Sequence, residues 1–85
     1  MRHARPEDLE PLAALLAELR ALPGLTERSP GTFYRKARAF LHFHHDPRGL
    51  FADLRGPDDG DFERIDVSGP AGQAAVLALA RARIS

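Results

Sequence analysis

The sequence contains no cysteine, and its charge shows no excess of either sign. Without a thiol, the chain can form no disulfide, no thiolate metal site and no cysteine nucleophile. Its 12 Lys and Arg residues balance 12 Asp and Glu residues, which argues against a general binder of polyanions. These absences exclude disulfide-stapled folds, thiol enzymes and strongly basic nucleic-acid proteins.

The sequence also lacks a long hydrophobic run. Its first apolar stretch is interrupted by Glu10, Glu18 and Arg20, so neither a signal peptide nor a membrane span fits. We predict a cytoplasmic protein with no membrane partner. A chain of 85 residues is one small domain, residues 1–85. It buries roughly 60 to 65% of its unfolded surface and has little stability to spare.

A leucine stripe predicts a first helix over residues 8–22. Leucines recur there at spacings of three and four, which is typical of an amphipathic helix. Because Pro11 is tolerated only in a first turn, a start near Asp8, with Asp8 as N-cap, is favoured over a start near Pro6. Pro23-Gly24 ends the helix, and a loop is expected to follow through residues 26–31.

Alternation with a period of two predicts four strands between Thr32 and Val67. Lys36-Ala37 and Asp46-Pro47 are the expected turns between them. The predicted strands span residues 32–35, 38–44, 49–55 and 62–67, and a last helix runs from Ala71 to about Arg83. We therefore predict an α+β fold in the order helix, four-strand antiparallel meander, helix, with both helices on one face of the sheet.

Pairing arithmetic separates the residues of the two faces. A turn at Lys36-Ala37 pairs Phe33 with Phe40, and a loop over residues 45–48 pairs His42 with Phe51. One face is then aliphatic and suits the helices: Tyr34, Ala39, Leu41, Phe43, Leu50, Ala52, Leu54, Ile65 and Val67. The other face carries Phe33, Arg35, Arg38, Phe40, His42, His44, Phe51 and Asp53, with Phe62, Arg64 and Asp66 at its edge. Four of the five phenylalanines of the chain therefore lie on this face.

Phenylalanines left in water on this second face need a cover. Exposure forfeits on the order of 1.5 to 3 kcal/mol for each ring, and solvated sheet faces are normally polar. A homodimer that packs sheet to sheet is the simplest cover, and a small molecule or another protein is the alternative. A register error of one residue would erase the pattern. We predict a non-enzymatic interaction module that needs no cofactor.

His42, His44 and Asp53 offer a second hypothesis. Alternate strand residues point the same way, so two imidazoles and a carboxylate converge on one face. These groups suit a divalent metal or acid–base chemistry, which predicts a small-ligand or metal-binding protein, or an enzyme. The structural alternative is that His42 packs against Phe51 while Asp53 bonds a ring nitrogen or an arginine.

Basic residues at the first hairpin tip support a third hypothesis, nucleic-acid binding through Arg35 to Arg38. Guanidinium groups pair bidentately with phosphate oxygens. This hypothesis ranks last, because the chain has no positive excess and no recognition-helix signature. A solvated turn is the structural alternative.

The middle of the chain resembles a known kind of domain. Leu22-Pro23-Gly24-Leu25, the hairpin from Phe33 to Phe40, His42-Phe43-His44 and Gly49-Leu50-Phe51-Ala52-Asp53 are similar to small bacterial α+β domains called luciferase-like, and more distantly to YjbR-type domains. The resemblance spans residues 19–67. It implies the same strand order, and the YjbR-type fold has been likened to DNA-binding domains.

Overall fold

The computed structural model describes residues 2–84, with side chains from Ala4 to Ile84. The fold is α+β with an antiparallel sheet, as predicted. Its elements in chain order are β1 (Arg2–His3), α1 (Pro6–Leu9), a 3-10 turn (Glu10–Leu12), α2 (Ala13–Arg20), β2 (Thr26–Ser29), β3 (Thr32–Arg35), β4 (Arg38–Asp46), β5 (Gly49–Arg55), a second 3-10 turn (Pro57–Asp59), β6 (Phe62–Asp66) and α3 (Pro70–Ile84).

The predicted first helix is divided into three segments and begins at Pro6, so the predicted start at Asp8 is wrong. Asp8 acts from the third helical position, where its Oδ2 accepts the Arg5 backbone N–H at 2.9 Å. Pro11 lacks an N–H to donate, and the chain forms the 3-10 turn at this point. The leucine stripe nevertheless stays buried along all three segments: Leu9, Leu12, Leu15, Leu16 and Leu19.

The sheet has more strands than predicted. Its order is β2-β3-β4-β5-β6, and β1 pairs with β4 by setting Arg2 against His45 and His3 against His44. The predicted loop over residues 26–31 is wrong for Thr26–Ser29, which pairs with β3. The strand was missed because its sequence, Thr-Glu-Arg-Ser, contains no apolar residue from which an alternation could be read.

A bulge between β3 and β4 overturns part of the predicted face assignment. The turn at Lys36-Ala37 is confirmed, as is the Tyr34–Ala39 pair, but Phe33 pairs with Leu41, which leaves Phe40 as the extra residue. Phe33 is 1% exposed and Phe40 is 3% exposed, and both belong to the helix-covered core. Their predicted place on the uncovered face is wrong, because one inserted residue changes the side on which neighbours project.

The β4–β5 hairpin is tighter than predicted. Asp46 pairs with Gly49 across Pro47-Arg48, so the turn has two residues rather than the expected four at 45–48. Asp46 Oδ1 accepts the Arg48 backbone N–H at 2.7 Å, and Gly49 adopts φ +135°, which suits glycine. The tighter turn pairs His42 with Asp53 instead of Phe51. A slip of two residues leaves each side chain on its predicted face.

The core lies between the helices and one face of the sheet, which we call the inner face. From β4 and β5 this face contributes Leu41, Phe43, Ala52 and Leu54, each no more than 2% exposed. The leucine stripe and two residues of α3, Val76 and Ala80, complete the cluster. Both helices therefore pack on the same side, and the opposite side of the sheet is left to a different set of residues.

Candidate functional site

The opposite side of the sheet, which we call the outer face, brings together the sequence-predicted polar residues. In the central row, His42 of β4 pairs with Asp53 of β5, and Asp53 pairs with Arg64 of β6. The adjoining rows pair His44 with Phe51 and Arg55 with Phe62. The antiparallel ladders thus place groups from three strands side by side.

Two histidines and one carboxylate form a compact cluster within this row. Candidate ligand atoms of His42, His44 and Asp53, one from each residue, all lie within 4.8 Å of one another. The side chains of His44 and Asp53 are 13% and 10% exposed, and His42 is half-buried. The cluster therefore sits in the surface of the sheet, shielded from most solvent but open on one side.

The Asp53 carboxylate organises the cluster through its two oxygens. Arg64 donates from Nε to Oδ1 at 2.8 Å and from Nη2 to Oδ2 at 3.0 Å. His44 Nε2 lies 2.6 Å from Oδ2. Such a bidentate arginine contact is strong and directional. It fixes the plane of the carboxylate next to the two imidazoles.

These contacts keep Asp53 ionised. Burial raises the pKa of the Asp53 carboxyl, whereas the hydrogen bonds from Arg64 and the interactions with His44 lower it. The lowering effects are together the larger, so the pKa lies below the ordinary value of 3.8. The cluster thus presents a carboxylate anion at neutral pH. This is the form that binds a cation or orients a neighbouring imidazole.

The ring of His42 is held by other rings. Its centroid lies 4.7 Å from that of His44 at an interplanar angle of 80°, and 4.9 Å from that of Phe62 at 75°. Edge-to-face contacts of this kind restrict the orientation of a ring. Phe62 therefore forms one wall of the cluster, a role that sequence reasoning did not assign to it.

Arginines cover the aromatic rings of the outer side of the sheet. The guanidinium carbon of Arg55 lies 4.1 Å from the Phe62 centroid, that of Arg48 lies 5.4 Å from Phe51, and that of Arg28 lies 4.2 Å from Tyr34. Cations over ring faces are attracted by the ring quadrupole. The chain itself thus covers part of Phe51 and Phe62, two of the rings for which a partner was predicted. Tyr34 was predicted on the helix-covered face, and this prediction is wrong for the same reason as that for Phe33, the bulge between β3 and β4.

The donor set suits a first-row divalent metal. Imidazole nitrogen and carboxylate oxygen are ordinary ligands of zinc, cobalt and nickel. Tetrahedral ligation at about 2.0 to 2.2 Å separates ligand atoms by roughly 3.3 Å, whereas His44 Nε2 and Asp53 Oδ2 are at the hydrogen-bonding distance of 2.6 Å. Metal entry would therefore require an Nε2 without hydrogen on His44 and would open this pair by less than about 1 Å.

The remaining predicted site residues lie elsewhere. Phe33 and Phe40 are in the core. Arg35 and Phe40 line a cavity of about 340 Å³ together with Arg83 near the end of α3, and Arg38 is exposed at the hairpin. The structure thus separates Arg35 and Arg38 from the histidines. Nucleic-acid binding at the hairpin tip stays a prediction.

Arg64 was predicted at the edge of the outer face, with no role assigned to it. A usable signal was present in Asp46-Pro47-Arg48-Gly49, because an aspartate and a glycine that flank two turn residues favour a tight hairpin. That hairpin places Asp53 between His42 and the next strand. Arg64 then follows as the neighbour of Asp53.

The comparisons with known proteins add no relative. No protein-family model, curated protein or solved structure matches the chain. Among residues 2–84, no helix combines the length and apolar character needed to cross a bilayer.

Proposed function

We propose that this domain binds one divalent transition-metal ion at the outer face through His42, His44 and Asp53. The observation that carries the proposal is the convergence of three ligand atoms, drawn from two strands, within 4.8 Å. Each side chain projects from a hydrogen-bonded strand in the sheet, and sites on regular elements hold their geometry better than sites on loops.

The proposed ligand set favours a site that can exchange ligands. Structural zinc sites have four protein ligands, whereas sites with three keep a position for water or another molecule. Two imidazoles and one carboxylate recur in sites of this second kind. We therefore assign the domain to metal-dependent ligand binding rather than to a metal-stapled fold.

Metal binding at this site is coupled to protons. Only neutral imidazole and ionised carboxylate bind a metal, so protons compete with the ion and its affinity weakens as the pH falls. Imidazoles in general take up protons at a higher pH than carboxylates. Loss of binding at a pH where exposed carboxylates stay ionised would therefore distinguish ligation by histidine from adsorption to carboxylates.

Calorimetric titration of the whole chain with Zn²⁺ tests the proposal. We expect one ion per chain in wild type. His44→Gln should weaken binding at least about 100-fold, because loss of even an outer-shell partner typically costs 10- to 100-fold. His45→Gln is the matched control, since it changes the next residue of β4, which projects to the other side. Absence of binding, or equal loss in both variants, would overturn the proposal.

A homodimer through the outer face is the second candidate function. Phe62 favours it, because this ring is 37% exposed at the edge strand beside the cluster. Sheet-to-sheet packing of two copies would bury it. Sedimentation of wild type beside Phe62→Asp tests the candidate, and a monomeric wild type ends it. Phe40 was also predicted on this face, but it lies in the core, so Phe40→Asp would disrupt the fold and could not report on a dimer interface.

A further inference from the structure

Arg64 occupies the carboxylate that the proposed metal would use. Both of its donated hydrogen bonds end on Asp53, one on each oxygen. An ion bound at Oδ2 competes directly with the Arg64 Nη2 donor. Because the Arg64 side chain is 47% exposed, its guanidinium can move aside without disturbing the core.

Displacement leaves an excess of positive charge beside the metal. The two charges of the ion meet the single charge of Asp53, since the imidazole ligands are neutral. Arg64 adds a further cation, and Arg48 and Arg55 stack on the flanking rings Phe51 and Phe62. Two further acidic groups lie on the same face. Asp46 Oδ2 lies 3.1 Å from Arg48 Nη2 and offsets that cation, and Asp66 accepts the Ser68 backbone N–H at 2.8 Å.

We propose that the metal-loaded site binds a small oxyanion, which ligates the ion in its remaining position and accepts hydrogen bonds from the Arg64 guanidinium. The inference rests on the proposed metal site. A planar guanidinium pairs with two oxygens of a carboxylate or phosphate, so the group that holds Asp53 without metal can turn to an incoming carboxylate when metal is present.

Arg64 thereby has opposite effects on the two partners. It competes with the metal for Asp53, so its removal should leave metal affinity unchanged or increase it. It binds the oxyanion directly, so its removal should weaken oxyanion binding. A purely structural Arg64 would not divide its effects in this way.

The experiment uses the full chain loaded with Co²⁺, whose visible d–d bands report on the ligands of the ion. Sodium acetate is titrated against sodium perchlorate at equal ionic strength. We expect saturable band shifts with acetate only. Arg64→Gln should weaken acetate binding about tenfold, the equivalent of one charge-assisted hydrogen bond, while Co²⁺ binds at least as tightly. Arg64→Lys should lie between the two.

The outcomes separate this inference from the proposal beneath it. If Co²⁺ does not bind, both fail. If Co²⁺ binds but acetate causes no shift, or Arg64→Gln binds acetate like wild type, the inference alone is overturned.

Discussion

The two faces of one sheet meet the same physical problem in different ways. The inner face hides its apolar residues beneath helices, and Leu41, Ala52 and Leu54 are completely buried. The outer face keeps Phe51 and Phe62 near solvent and stacks arginines on them. An aromatic side chain on a bare sheet does not by itself require a partner molecule, because a cation from the same chain can cover it.

The second difference between the faces is chemical. Among the described residues, the buried cluster beneath the helices consists of leucine, phenylalanine, valine and alanine side chains, which have no titratable group. The outer face instead joins His42, His44, Asp53 and Arg64 in one network. Burying such groups beneath a helix would cost far more than leaving them half-solvated. The bare side is therefore the side where chemistry can be placed.

The largest expected change in stability comes from replacing a phenylalanine by alanine on the inner face, compared with the same replacement on the outer face. Phe33→Ala should lower the free energy of unfolding by about 3 to 5 kcal/mol, because it leaves a cavity in the core. That is a large part of the roughly 4 to 13 kcal/mol expected for a domain of this size. Phe62→Ala should cost less than about 1 kcal/mol, through lost contact with Arg55. Urea unfolding followed by circular dichroism measures both.

Equal losses in Phe33→Ala and Phe62→Ala would contradict the comparison, since they would mean that the outer face is as buried as the inner one. Phe51→Ala serves as a second outer-face variant. It should behave like Phe62→Ala.

Metal bound at the outer face should increase the stability of the protein. A ligand at 100 times its dissociation constant adds about 2.7 kcal/mol, which corresponds to roughly 10 to 20 °C in the melting temperature of a small domain. We expect Zn²⁺ to raise the melting temperature of wild type and of His45→Gln. The melting temperature of His44→Gln should rise by only a few degrees at most, because a site weakened about 100-fold contributes about 0.4 kcal/mol at the same concentration. A similar rise in His44→Gln would place the ion elsewhere.

A different ion pair, between Arg20 and Glu27 on the helix side of the sheet, should contribute to the loss of stability in acid. The hydrogen bond from Arg20 lowers the pKa of Glu27, burial raises it, and the Gly31 backbone N–H lowers it again, so that it lies below the ordinary value of 4.5. A carboxyl with a lowered folded-state pKa stabilises the fold above its unfolded pKa, and this stability is lost as pH falls through the folded value.

Glu27→Gln should therefore destabilise the protein at neutral pH and lose less stability than wild type between about pH 5 and the folded pKa. Unfolding midpoints measured through this window provide the test. Parallel pH profiles in the two proteins would show that Glu27 contributes nothing to acid sensitivity.

The smallest expected change in stability comes from the Lys36-Ala37 turn between β3 and β4. Lys36 and Ala37 adopt φ of +52° and +68°, the pair of left-handed residues that a type I′ turn needs. Ala37→Gly removes the steric penalty of the β-carbon and should stabilise the protein by up to about 1 kcal/mol. Thermal unfolding measures it, and a destabilised variant would contradict the turn geometry.

Much of the fold could be predicted because it depends on local signals. The leucine stripe, the alternation in β4 and β5, and the Lys36-Ala37 turn identified the main helices and strands. The polar strand Thr26–Ser29 carried no such signal, and its place depends on pairing with β3. Of the candidate site, His42, His44 and Asp53 could be predicted to share a face, but not that Arg64 would hold Asp53.

The order of residues fixes which side chains alternate along a strand, and alternation survives a register shift of two, so the histidines and Asp53 lie on their predicted side. The core positions of Phe33 and Phe40 depend instead on pairing between strands, because a single-residue bulge reverses the side on which neighbours project and lets both rings pack in the core. Partners across strands, such as Asp53 with Arg64, were decided in the same way, by contacts between segments far apart in the chain.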